Sequence, residues 1–356
     1  MMGMKGVKGL DLYDAIARLT AAVGVTGDEA GVAQTVQELF SQYAQDVWQD
    51  HAGNVYARIG QGAPTVLLMA HMDEVGMIVH GIEDNGMLRV RSVAGVDPRV
   101  LPGSVVMVHG SETLSAVVGA TPPHLLSGEQ AAYRIEEVSV DTGLSPSMVR
   151  QLISVGDFVT YAPEPPLELQ NGWIAGKTMD DRAMLACLLW VMEQLKLTPP
   201  PCTVVFAASV EEEKSSLGAV AGGYGIIPDM AVALDATFAK QPGIKPPDDN
   251  PMDRVVLGRG ANIHPWLLQR LEAAAKALEL PLAYDVVMGC SYTDAWELQV
   301  QRLGVPTAIV SVPVRYMHTP VETLDLNTLE RCAKLITRFL MDLNQDDWED
   351  SLCFDS

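Results

Sequence analysis

The sequence predicts an α/β protein, with a mostly parallel sheet covered by helices on both faces and an all-β domain inserted into it. Three observations predict this. Short apolar runs alternate with crossover-length helical patterns in both outer parts of the chain. The run Thr65–Met69 (TVLLM) is continuously apolar, as a strand buried on both faces requires. From Glu74 to about Ala162 the alternation stops, and Gly- and Val-rich segments separated by turn residues replace it.

In chain order, two helical patterns come first, Leu10–Ala22 and Asp28–Tyr43. The second has Val32, Val36, Leu39 and Phe40 at helical spacing and Thr26 or Asp28 as its cap. Strands follow at Asn54–Ile59 and Thr65–Met69. The insert reads as strands at Gly76–His80, Met87–Ser92, Ser104–His109, Ser115–Gly119 and Glu136–Asp141, with a helix near Ser147–Ile153. Alternation then resumes. Helices are expected at Asp181–Leu197, Leu217–Gly222, Pro265–Leu278, Thr293–Leu303 and Leu326–Leu343. Strands are expected at Cys202–Ser209, Met230–Leu234, Ala283–Val287 and Thr307–Val312. The tail from Asn344 is acidic and expected to fray. This divides the chain into a first catalytic segment (1–73), an inserted domain (74–169) and a second catalytic segment (170–356). A length of 356 residues accommodates that division.

Composition narrows the function. A chain that is 48% hydrophobic and 19% charged folds rather than remaining disordered. With 24 Lys and Arg against 45 Asp and Glu, the net charge is −21, which repels both nucleic acid and anionic membrane surfaces. No apolar run approaches the roughly 20 residues of a membrane span. The N-terminus carries no apolar signal core. The five Cys show no CxxC spacing and suit reduced, mostly buried thiols. A cytoplasmic location is therefore expected.

Ligands of such sheets sit beyond the carboxyl ends of the strands. There the chain places metal-type donors repeatedly: His71 and Asp73 after one strand, Glu211, Glu212 and Glu213 after another, then Asp235, then His318. Asp180 and Asp181 stand at a helix start. Two dications about 3.5–4 Å apart need a bridging carboxylate and enough anionic donors to offset their repulsion. Two His, one bridging Asp and two terminal carboxylates meet that need, and suit zinc, cobalt or manganese. A further carboxylate must move the proton of the attacking water, and a Glu-Glu pair can bind metal with one member and serve as base with the other. Each feature also has a plain reading: a polar loop, a solvated helix start, a helix cap, a turn or a surface imidazole. Their joint occurrence at the ends of strands favours the site.

The strings AHMDEVGMIV (70–79), GKTMDDRAMLACLL (176–189), SVEEEKSSLGA (209–219), ALDATF (233–238), YTDA (292–295) and VPVRYMHTPVETLDL (312–326) resemble metallopeptidase family 42. These are the tetrahedral aminopeptidases, including glutamyl aminopeptidases and proteins labelled cellulase M or endoglucanase. GATPPHLL (119–126) is similar to that family's insert domain. The resemblance implies a zinc-exopeptidase-like fold and two divalent metal ions per subunit. It implies one metal held by His71, Asp180 and Asp235, and the other by Asp180, Glu213 and His318. It implies Glu212 as general base, Asp73 as the carboxylate that orients it, and a cis peptide between Asp180 and Asp181. Arg315, Tyr316, Thr293 and Asp294 become candidates for substrate contact, with Thr293-Asp294 alternatively capping a helix. The resemblance also implies peptide substrates and a homo-oligomer, from dimer to dodecamer. Glu211 and Lys214-Ser215-Ser216 depart from the family's usual residues, which leaves open which Glu is the base. The alternatives are a metal-dependent deacylase of amino-acid derivatives and a non-catalytic peptide-binding scaffold. Glycoside hydrolysis ranks low, since its paired carboxylates need no histidine ligands.

Overall fold

The computed structural model describes residues 9–125, 133–343 and Trp348. The expectations for the first eight residues, for Leu126 of the GATPPHLL string, for Cys353 and for most of the acidic tail lie outside these residues.

The chain opens with α1 (Leu12–Ala21) and α2 (Ala30–Phe40). The carboxylate of Asp11 caps α1 by accepting the amides of Tyr13 and Asp14. Strands β1 (Asp46–Gln49), β2 (Val55–Ile59) and β3 (Thr65–His71) follow. The insert holds β4 (Gly76–Ile82), β5 (Leu88–Val93), β6 (Val105–His109), β7 (Thr113–Gly119), β8 (Ser139–Asp141), α3 (Pro146–Leu152) and β9 (Phe158–Tyr161). Next come β10 (Leu167–Glu168), β11 (Trp173–Gly176), α4 (Met179–Leu197), β12 (Thr203–Ser209), α5 (Leu217–Ile226), β13 (Met230–Phe238) and β14 (Val255–Gly260). The chain ends with α6 (Pro265–Ala277), β15 (Leu282–Val287), α7 (Asp294–Leu298), β16 (Thr307–Val314), β17 (Glu322–Asp325) and α8 (Leu326–Met341).

The main sheet has eight strands in the order β1-β2-β12-β3-β13-β16-β14-β15. Its centre, β12-β3-β13-β16, is wholly parallel, whereas β1, β2 and β14 join antiparallel. The period of two along β3 explains its unbroken apolar run. Val66, Leu68 and Ala70 enter the core under α1, α2, α4 and α8, while Leu67 and Met69 enter the core under α5 and α7. Helix α4 is apolar on nearly all sides and is buried along most of its length between the sheet, α1 and α8.

The insert closes into a six-stranded barrel, β4-β5-β8-β7-β6-β9, by pairing of β4 with β9. Closure removes exposed edges. Alternate residues such as Leu88, Val90, Val106, Val108, Val118 and Val140 fill a core separate from that of the sheet.

Several elements differ from expectation. Strands β1, β9 and β14 and the small β10-β11-β17 sheet were not anticipated; all are short or contain a polar residue or Gly. The helix expected to run to Leu303 stops at Leu298, and Val300 and Leu303 stand exposed instead of facing a core.

Candidate metal centre and active site

The four central parallel strands end on one edge of the sheet, and that edge carries the predicted residues. His71 is the last residue of β3. The β3–β13 ladder ends at the Met69–Ala233 pair, so His71 and Asp235 each lie two residues beyond it. Two residues is one strand repeat, so both side chains leave the same face as their strands part. Strand β13 was expected to stop at Leu234; it continues to Phe238, held by β16, with Asp235 opposite Ser311. Asp180 opens α4 and is joined to Asp181 by a cis peptide bond. Glu212 and Glu213 lie on the loop after β12, and His318 lies on the loop after β16 with φ +64°.

These residues form two donor groups that share one carboxylate. In the first, His71, Asp180 and Asp235 offer atoms all within 4.8 Å of one another; in the second, Asp180, Glu213 and His318 do the same. One oxygen of Asp180, Oδ1, is 3.1 Å from His71 Nε2, while its other oxygen, Oδ2, is 3.6 Å from His318 Nε2. His71 Nε2 is 3.9 Å from Asp235 Oδ1, and His318 Nε2 is 3.1 Å from Glu213 Oε1. Donors about 2.0–2.2 Å from a common cation stand about 3–3.6 Å apart, so modest adjustment would bring each group around a cation. The nitrogen-and-oxygen donor set fits zinc, cobalt or manganese. Among the described residues no Lys or Arg pairs with Asp180, Glu213 or Asp235.

Hydrogen bonds orient these side chains. His71 Nδ1 faces the Asp73 carbonyl at 3.2 Å, and His318 Nδ1 faces the Gly95 carbonyl at 3.1 Å. Each carbonyl takes the Nδ1 proton, so Nε2 is the nitrogen that faces the carboxylates and that would offer its lone pair to a cation held between them. Gly95 belongs to the barrel, directly after β5. A Cβ there would lie 2.3 Å from His318 Nδ1. Glu322, buried at the start of β17, accepts the amide of His318 at 2.6 Å and that of Asp180 at 3.0 Å. Asp73 accepts the amides of Glu212 (3.1 Å) and Glu213 (3.2 Å) and the hydroxyl of Thr26 (2.8 Å). Thr26 therefore serves Asp73 instead of capping α2.

Electrostatics match this crowding. Burial pulls the His71 imidazole down, but Asp180 and Asp73 outweigh it and hold its pKa well above the usual value. Burial likewise opposes the rise of His318, which Asp180 and Glu213 carry to about 11. Burial would raise Asp180, yet the two imidazoles hold it below the carboxylate range. Burial, then Asp235, pushes Glu212 well above that range; burial, then Asp181, does the same to Asp235. Burial raises Glu213, and it raises Glu322 to about 8. So many carboxylates in a dry space ionise together only when cations neutralise them.

The remaining candidates fall outside the two donor groups. Glu211, with φ +54°, turns its carboxylate to the Ser215 hydroxyl at 2.8 Å. Arg315 stacks over Trp173 and donates to the Lys240 carbonyl. The Tyr316 amide donates to Gln241, and the Tyr316 ring is partly exposed. Thr293 caps α7 through the Ala295 amide. Asp294 is buried; one carboxylate oxygen accepts the Ser209 hydroxyl at 2.5 Å, and burial raises its pKa to about 6. Sequence reasoning missed Gly95 and Glu322. Glu322 sits in the VPVRYMHTPVETLDL string four residues after His318, which was a usable signal; Gly95 had none.

The sequence model of the family described as M42 glutamyl aminopeptidase matches residues 53–335. A lysyl aminopeptidase of Pyrococcus furiosus is 31% identical over 344 residues, covering 94% of this chain and 99% of that protein. Among solved structures, an aminopeptidase from the archaeon Desulfurococcus kamchatkensis superposes with a TM-score of 0.86 at 30% identity, covering 93% of this chain and 95% of that one. The TET1 peptidase of Pyrococcus horikoshii, which can assemble into a tetrahedron or a large octahedral shell, has a TM-score of 0.82 at 28% identity. It covers 94% of this chain and 100% of its own.

Proposed function

The chain belongs to the M42 glutamyl aminopeptidase family, and from that premise we propose that it is a metal-dependent aminopeptidase that uses two divalent cations to remove N-terminal residues from peptides. The observation that carries the reading is Asp180, whose two carboxylate oxygens face two different histidines in two donor groups. His71 and Asp235 would hold one cation with Asp180; Glu213 and His318 would hold the other. Zinc or cobalt is the first choice of metal and manganese the next. Bound there, the cations would polarise the scissile carbonyl and acidify a water.

The chain's own residues do the rest. Glu212 is not in either donor group, so its carboxylate is free to take the proton of the attacking water and return it to the leaving amine. Asp73 fixes Glu212 by accepting its amide and that of its neighbour. Asp294 adds negative charge behind Glu212 and Asp235, a setting suited to the substrate's ammonium group. Arg315 and Thr293 keep weaker claims on the substrate, since their side chains are engaged elsewhere, and Tyr316 keeps its claim through a partly exposed ring. Residues 74–169 act as the oligomerisation and lid domain of a homo-oligomer, from dimer to dodecamer. No helix among the described residues is long and apolar enough to cross a membrane. The buried free thiols of Cys187, Cys202 and Cys332 suit a cytoplasmic location.

The test is hydrolysis of aminoacyl-p-nitroanilides and their N-acetylated counterparts, with metal content measured on the same preparations. Hydrolysis is expected only with a free amine, and only with metal. Glu212→Gln should keep its metal and lose about 10²–10⁴-fold in kcat. Full activity in that variant would remove Glu212 from its role, and release of acetate from the acetylated substrates with the anilide bond left intact would replace the peptidase reading with a deacylase.

A further inference from the structure

The loop that carries Glu212 and Glu213 runs from Val210 to Gly218, and four successive amides at its start are taken by side chains from outside it. Val210 donates to Asn54 Oδ1 at 3.0 Å, Glu211 to Glu29 Oε1 at 3.2 Å, and Glu212 and Glu213 to the two oxygens of Asp73. Asn54 also holds the far end, because its Nδ2 donates to the Gly218 carbonyl at 3.0 Å. A backbone bond from Gly218 N to Val210 O, also 3.0 Å, closes the mouth between these two points. One fully buried side chain thus grips both ends of the segment bearing a proposed base and a proposed ligand.

Asn54 is itself locked. Its Nδ2 is 2.9 Å from Asp50 Oδ2 and 2.9 Å from the Tyr56 hydroxyl. Asp50 Oδ1 accepts the amides of Ala52, Gly53 and Asn54, so the turn before β2 is rigid. The amide orientation is forced: Oδ1 must meet the Val210 N–H, and Nδ2 must meet a carbonyl and a carboxylate. Gly218 is required opposite, since a Cβ there would come within 2.5 Å of Asn54 Oδ1.

We propose that Asn54 is a positioning residue for the reaction, a staple across the Val210–Gly218 loop that sets where Glu212 and Glu213 stand. This rests on the reading of those two residues given above. Neither alanine nor aspartate can replace it. Asn54→Ala removes both grips, whereas Asn54→Asp keeps the shape but turns an acceptor-facing donor into an oxygen aimed at the Gly218 carbonyl and at Asp50.

The experiment compares Asn54→Ala and Asn54→Asp with Thr328→Val, which deletes a buried hydroxyl bonded to the Met252 carbonyl and Asp325 and not to the loop. Expected for both Asn54 variants is a fall in kcat of about tenfold or more with KM within about twofold, together with about 10–100-fold weaker binding of the more weakly held metal in a chelator competition. Thr328→Val should lower Tm and leave kcat and metal affinity unchanged. Should Asn54→Ala fail to fold, the isosteric Asn54→Asp decides. Asn54 variants that lower Tm while keeping wild-type kcat and metal affinity would reduce Asn54 to a structural residue and overturn the proposal. Glu212→Gln, run in parallel, separates the two failures: if it is inactive and the Asn54 variants are active, only the staple falls; if it is active, the reading beneath the staple falls as well.

Discussion

The two donor groups that share Asp180 are built differently. His71 and Asp235 stand on the parallel strands β3 and β13, and their positions follow from ladder register and the two-residue strand repeat. Both are nearly inaccessible to solvent. Glu213 and His318 stand on loops, and the His318 side chain remains 28% exposed. What strands supply to the first group, side chains and carbonyls from other elements must supply to the second. Asp73 and Asn54 hold the Glu213 loop, while Glu322 and the barrel's Gly95 hold His318. A strand-end donor is positioned by pairing that any apolar strand sequence can provide. A loop donor depends on individual polar residues far away in the chain, so the loop group should be the weaker and more easily lost.

The largest expected effect comes from the residue common to both groups. Asp180→Ala should empty both sites and reduce kcat by about 10³-fold or more, since metal polarisation supplies several kcal/mol of the barrier reduction. Elemental analysis that found one tightly held metal still present would show the groups to be independent. Gly95→Ala should act on the loop group alone. The added Cβ would lie 2.3 Å from His318 Nδ1, so the ring must move. Metal affinity there should drop about 10–100-fold while the strand group keeps its ion. Loss of both ions together would contradict the asymmetry. Smallest is Thr26→Val, which removes one donor from the Asp73 carboxylate. It should cost about 1.5–3 kcal/mol in thermal or denaturant unfolding and lower kcat only severalfold. An unchanged kcat and Tm would mean that Asp73 is held by its amide donors alone.

The sequence carried much of the first group and less of the second. TVLLM announced β3, and a histidine just after it announced a donor. Asp235 was legible as a donor although its strand runs longer than expected. This is because β16 pairs with β13 beyond the point where β3 has ended. The resemblance matches Glu212 to the base and Glu213 to the metal-binding residue, but the extra Glu211 leaves the frame of that pair open from spacing alone. The structure turns Glu211 to Ser215 and puts Glu213 beside His318. The helix expected over Thr293–Leu303 ends at Leu298; Val300 and Leu303 beyond it stand exposed, so no packing against a core extends the helix that far.

Residue type and period, acting over a few neighbours, determine which segments become strands and helices, that the central strands are buried on both faces, and that donors cluster at their carboxyl ends. These are local properties and belong to the sequence. Only the folded chain decides that the carbonyl of Gly95 meets a histidine 223 residues away, or that Asn54 closes a loop 156 residues further on. Such contacts depend on directional hydrogen bonds between distant segments, and nothing in either segment alone states its partner.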